Sequence, residues 1–224
     1  MRAVESMVRP GLPLADIGTD HGYIPADLLL RGIVPFAVLS DINEGPLAIC
    51  ADNLKEAGID PAQYELRCGD GLTVLEPGEV STVIIAGMGG ELIQSMFDTV
   101  PEESTEGMRF VLQPRTHADD LRAYLTESSF KLTDYKLAKE RGRICEVFAA
   151  EKCGAGEYRP DNGLVSELLL SKNDPLISEF MESKLAKARA IAASAASSEK
   201  EDARGAAEVW RAVVSQLDEI RRNI

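Results

Sequence analysis

Residues 14 to 25 read Leu-Ala-Asp-Ile-Gly-Thr-Asp-His-Gly-Tyr-Ile-Pro. An apolar run passes through Asp16, glycines follow at 18 and 22, and a helical pattern starts after the second. That is how a nucleotide-type ligand is held at the carboxyl end of a first parallel strand. The dinucleotide pattern G-x-G-x-x-G is missing. Thr19, Asp20 and His21 stand where a pyrophosphate cradle wants small, uncharged residues. Asp16 and Asp20 repel pyrophosphate and suit a cation. S-adenosylmethionine, with a sulfonium and an ammonium group, is such a ligand.

Four more short runs carry chemistry. Asp41 lies 23 residues beyond Gly18. An acid at the end of a second strand can accept from both ribose hydroxyls, or it can cap the helix that follows. Gly69-Asp70-Gly71 suits an adenine amino group in a methyltransferase-like sheet, or is a plain turn. Ala86-Gly87-Met88-Gly89-Gly90 has more glycine than an ordinary turn needs. It suits a tight loop exposing backbone groups beside a reacting centre, or a phosphate cradle. No lysine follows, which excludes a Walker A loop. Gln113-Pro114-Arg115-Thr116 puts Arg115 near a pocket rim, as an RNA contact or as a salt-bridge partner of Asp119 or Asp120.

Alternating elements must position these runs. Strands are expected over 12–18, 36–40, 64–68, 82–86 and 110–113, from short apolar runs. Helices are expected over 23–31, 44–57, 91–100 and 117–127. Two further strands, 130–138 and 144–150, flank a turn at Arg141-Gly142. This is the signature of a doubly wound α/β sheet with an antiparallel edge, the arrangement of class I methyltransferases with a Rossmann-like fold. The expected domain covers 1–151. Residues 152–172, with glycines and a proline, read as a linker. Residues 173–224 read as a helical hairpin. Asn173-Asp174-Pro175 starts its first helix, 194–202 is its turn, and Trp210, Val213, Leu217 and Ile220 make a stripe on the second.

The 224 residues suffice for one such domain and an appendage. No apolar run reaches the roughly 20 residues that cross a membrane, and residues 1–6 hold no signal core. The 4 cysteines form no C-x-x-C pair. A reduced cytoplasmic protein without a structural metal is expected. Net charge is −13, which argues against nucleic acid. The distribution softens that. Residues 1–108 hold 18 acidic and 5 basic side chains, whereas 109–143 hold 8 basic and 5 acidic, Arg115 and Arg122 among them.

D-I-G-T-D-H-G-Y-I-P at 16–25, G-D-G-L at 69–72, I-A-G-M-G-G at 85–90 and Q-P-R-T-H-A-D-D-L-R at 113–122 occur in that order. Together they resemble the TrmK family, bacterial tRNA methyltransferases acting on N1 of adenine 22. The resemblance covers nearly the whole chain. It implies that Asp16, Gly18, His21, Asp41, Asp70, Gly71, Ala86, Gly87, Met88 and Gly89 line an S-adenosylmethionine site. Asp20 then sits closest to the chemistry, and Tyr23, Arg115 and Arg122 are candidates for the substrate side. There are departures. Asp41 replaces the glutamate of many members, Arg115-Thr116 stands where asparagine is common, and the usual Leu-Ser-x-Arg-Leu opening is absent. Two other readings fit the same residues: a small-molecule enzyme on this fold, either a methyltransferase or a nicotinamide oxidoreductase, and a non-catalytic RNA or protein interaction module.

Overall fold

The computed structural model describes residues 1–154, 161, 163–197 and 201–224, with side chains of 201–204 left aside. Residues 155–160 and 162, within the expected linker, and 198–200, within the expected hairpin turn, lie outside the described residues.

The strands are β1 (Leu14–Ile17), β2 (Ala37–Asp41), β3 (Tyr64–Cys68), β4 (Thr82–Gly89), β5 (Arg109–Thr116), β6 (Phe130–Glu140) and β7 (Arg143–Lys152). They form one seven-stranded sheet in the order β3-β2-β1-β4-β5-β7-β6. Strands β1 to β5 pair in parallel, and β7 pairs antiparallel with β5. The helices are α1 (Arg2–Glu5), α2 (Tyr23–Leu30), α3 (Glu44–Glu56), α4 (Gly90–Asp98), α5 (Ala118–Glu127), α6 (Glu167–Ser171), α7 (Ile177–Ala196) and α8 (Glu201–Arg222). The expected doubly wound sheet with its antiparallel edge and C-terminal helix pair is therefore present.

Central strands read as unbroken apolar runs because both their faces are covered. Val83, Ile84 and Ile85 of β4 are fully buried, as are Leu14 and Ala15 of β1. Each large side chain so buried contributes about 1.5–3 kcal/mol. Phe97 of α4 packs on Phe110 of β5 and Phe130 of β6 with ring centres 4.8 and 5.4 Å away, which fixes α4 against the sheet.

The chain forms two compact units. The first comprises Met1–Lys136 and Cys145–Asn162, the second Leu137–Ile144 and Gly163–Ile224. The division departs from the expected 1–151 domain, since the tip of the β6–β7 hairpin groups with the C-terminal helices. Helix α6 also falls inside the stretch read as linker. In the second unit, Asp174 makes the turn that leads into α7. Its Oδ1 accepts from the Leu176 amide at 2.9 Å, and its Oδ2 accepts from the Leu137 amide at 2.9 Å. One aspartate thus opens a helix and holds the hairpin tip. In the same unit α7 buries Phe180, Met181, Leu185 and Ala188, and α8 buries Leu217.

Candidate active site

The strand order reverses between β1 and β4, and the crevice outside their carboxyl ends is where such sheets bind ligands. Loops after β1, β2, β3, β4 and β5 all open at that edge. They carry, in turn, Gly18 to Gly22, Asp41, Gly69 to Gly71, Gly87 to Gly89, and Arg115 with Thr116. Every residue expected to hold the cofactor therefore stands at one edge of the sheet.

The turn after β1 is built by backbone geometry. Gly18 has φ +72°, where a side chain is strained, and a Cβ there would overlap the Met88 methyl group. The Gly18 and Thr19 amides both donate to the Ser40 carbonyl at 2.8 Å, which ties the loop to β2. Asp16 is buried beneath it, and burial pushes its carboxyl up to about 7. Cys50 of α3 lies behind the same loop. Burial, with the Asp16 charge second, pushes its thiol up to about 11, so it stays protonated.

Asp20 is the exposed member of the loop, with its side chain 79% accessible, and its Oδ2 lies 3.3 Å from His21 Nε2. The His21 ring stacks on Tyr23 with centroids 5.1 Å apart and planes 24° from parallel. The His21 carbonyl accepts from Asn53 Nδ2 at 3.0 Å, so α3 holds the backbone of the acidic loop. Asp20, His21 and Tyr23 thus form one exposed patch at the mouth of the crevice: a carboxylate beside a flat imidazole–phenol stack.

Asp41 ends β2. Its Oδ1 accepts from the Asn43 amide at 2.8 Å and from Asn43 Nδ2 at 3.3 Å, just before α3. One oxygen thus caps the turn that leads into α3, as the capping reading of this residue expects. Asp70 is exposed, and its carbonyl accepts from the Thr73 amide and hydroxyl in the short 3-10 turn Gly71–Val74. Gly71 is buried against Met96 of α4.

Arg115 is exposed and makes no ion pair among the described residues. Asp119 and Asp120, its expected partners, are engaged elsewhere. Asp120 lies 3.0 Å from His117 Nδ1, and Asp119 lies 2.8 Å from Arg122. Arg122 corrects an expectation. Its side chain is completely buried, paired with Asp119 and with Asp161, and its guanidinium lies 6.0 Å from the Tyr135 ring centre. A cation enclosed by two carboxylates and an aromatic ring is a structural post, not an RNA-facing side chain. A charged residue on an amphipathic helix is most often solvated, and Asp161 lies 39 residues away, so no local pattern marks this burial.

Three further side chains at this edge were not among the expected site residues. Thr19 and Ser40 are buried polar groups under the β1 loop, and Gln113 reaches from β5 to the Gly87 amide. Among the described residues, no cluster of three His, Cys, Asp or Glu side chains is arranged to hold a metal ion, and no helix is long and apolar enough to cross a membrane.

Residues 1–148 match the family model described as a methyltransferase domain. The tRNA (adenine(22)-N(1))-methyltransferase of Bacillus subtilis is 32% identical over 151 residues, 67% of this chain and 63% of that protein. The chain spans 61–63% of the length of the curated relatives it matches. The crystal structure of TrmK, the tRNA adenine-22 N1-methyltransferase of B. subtilis, aligns with a TM-score of 0.85 and 26% identity, over 98% of this chain and 96% of that one. Streptococcus pneumoniae Sp1610 in complex with S-adenosyl-L-methionine aligns with a TM-score of 0.78 and 26% identity, over 98% and 97%. The crevice at the β1–β4 reversal and the order of its motifs are those of a family: this chain belongs to the methyltransferase-domain family, and its likeness to TrmK runs over nearly its whole length.

Proposed function

We propose that the protein transfers a methyl group from S-adenosylmethionine to N1 of an adenine in tRNA, at position 22 as in its B. subtilis relative. One observation carries this reading. The crevice joins a buried acid and a glycine turn on the cofactor side to an exposed carboxylate beside a flat aromatic stack on the substrate side.

The residues present fit the cofactor. Asp16, Asp41 and Asp70 offer carboxylates to its cationic and hydroxyl groups. Gly18, Gly71, Ala86, Gly87, Met88 and Gly89 offer backbone at close range, with His21 at the mouth. When bound, S-adenosylmethionine supplies an electrophilic methyl carbon on a sulfonium. The protein's share is alignment and charge. Adenine N1 has a free lone pair at neutral pH, so no base is needed to make it a nucleophile, and positioning supplies most of the acceleration. N1 lies on the pairing edge, so the target adenine must be unpaired or flipped out. Tyr23 and His21 offer a face on which that base can stack. The methylated ring is cationic, and the Asp20 carboxylate stabilises the charge as it develops. Arg115, with no acidic partner among the described residues, is placed for a phosphate. The tRNA substrate puts the protein in the cytoplasm, with no membrane partner.

Purified protein with labelled S-adenosylmethionine and unmodified tRNA is expected to yield N1-methyladenosine on nucleoside digestion. Replacing adenine 22 by guanine is expected to abolish the label. Binding of S-adenosylmethionine without any transfer to tRNA overturns the substrate assignment. Labelling of a small molecule instead would favour the rival enzyme reading, and no transfer at all the interaction module.

A further inference from the structure

We propose that Gln113 is a positioning residue that sets the Gly87 peptide, and through it the face of the crevice contributed by β4. The inference rests on the reading of this crevice as the methyl-donor site.

The β4–β5 ladder pairs Ala86 with Gln113 and Met88 with Pro114, and its register shifts between them. Gly87 is the extra residue, a β-bulge with no partner on β5. A bulge leaves one peptide outside the ladder, and its amide must find an acceptor or lose a hydrogen bond. Gln113 Oε1 is that acceptor, 2.9 Å from the Gly87 amide. The side chain is held in turn. Gln113 is 9% exposed, and its Nε2 lies 3.5 Å from the Pro114 carbonyl.

The bond matters because of where the bulge points. Gly87 has φ +80°, and the Arg115 guanidinium lies over it, 3.4 Å from where a Cβ would stand. The next residue, Met88, sends its side chain across to Gly18. The bulge therefore links three parts of the crevice: the β1 glycine turn, the β4 backbone and Arg115. Gln113 is the side chain that fixes its conformation from the interior. It acts through the Gly87 peptide.

The test compares Gln113→Leu, which removes the acceptor at similar volume, with Gln113→Glu, which keeps it. Thermal melts identify folded variants. Backbone amide exchange by nitrogen-15 NMR on the ligand-free protein reads the bond itself. In Gln113→Leu the Gly87 amide is expected to exchange at least about threefold faster, and kcat for methyl transfer to fall about three- to tenfold. KM for tRNA is expected to stay within about twofold, since no RNA-facing group is altered. Gln113→Glu is expected to restore Gly87 protection. Unchanged Gly87 exchange and unchanged kcat in folded Gln113→Leu overturn the proposal, and so does a Gln113→Glu variant that leaves the amide unprotected. The exchange measurement needs no ligand. If wild-type protein shows a protected Gly87 but neither binds S-adenosylmethionine nor methylates tRNA, it is the functional reading that fails, not the bond.

Discussion

The crevice edge of the sheet and the α7–α8 helix pair use different physics. At the crevice the groups that count are held by backbone: glycines at positive φ, amides donating to Ser40, and a bulge satisfied by Gln113. Few charges there are paired. In the helix pair the order is reversed. A narrow apolar seam does the packing, and the visible electrostatics are exposed ion pairs such as Arg189 with Asp218 at 2.9 Å and Arg221 with Glu182 at 3.9 Å. The contrast teaches where sequence change is tolerated. Backbone-built sites fail on a single methyl group, whereas a seam with exposed pairs absorbs substitutions. The family model ends at residue 148, while the structural likeness covers 98% of the chain, in keeping with that contrast.

The comparison can be broken from either side. Asp20→Ala is expected to lower kcat by about 100-fold, because the charge that develops on the adenine loses its carboxylate. Undiminished turnover would remove Asp20 from the mechanism. Next is Gly18→Ala. Positive φ strains any Cβ there and Met88 must move aside, so S-adenosylmethionine affinity is expected to drop about tenfold by calorimetry.

Asp16 gives an effect that depends on pH. Its carboxyl is raised to about 7 from an unfolded value of about 3.9. A carboxyl raised in the fold contributes stability that is fully present below about 3.9 and is lost as pH rises from there through about 7. Asp16→Asn is therefore expected to differ least from wild type in melts near pH 4 and to exceed it by roughly 10 °C at pH 8. The same variant is expected to bind S-adenosylmethionine more weakly at pH 8. Equal melts at both pH values would show that Asp16 ionises at no cost to the fold. The smallest effect belongs to the helix pair. Arg189→Ala is expected to cost less than about 1 kcal/mol, because its ion pair is exposed to solvent, and to leave methyl-donor affinity unchanged. A larger loss would mean that the helices depend on charge more than on their seam.

Much of the sheet was legible because buried parallel strands are apolar runs and the glycines punctuate them. Tyr64–Cys68 was expected at its observed limits, and Glu44–Glu56 within one residue. Glycine also misled. Strand β4 was expected to stop at Ala86, yet it continues through Gly89 because a bulge lets the ladder cross Gly87. The acids at the strand ends were legible by type and spacing. The burial of Arg122 and the Gln113 bond were not, because both depend on partners that no local pattern names.

Asp174 and the hairpin tip have a consequence for how this chain can be divided. The second unit is made of two stretches, 137–144 and 163–224, with part of the first unit threaded between them. No single cut separates the units. A fragment ending at residue 151 keeps the Leu137 amide but loses the carboxylate that receives it, and a fragment starting at 173 keeps the carboxylate without the amide. Exchange of the C-terminal helices between relatives must carry the hairpin tip with it, so the part that looks most like a detachable tail is, in its connectivity, interleaved with the first unit.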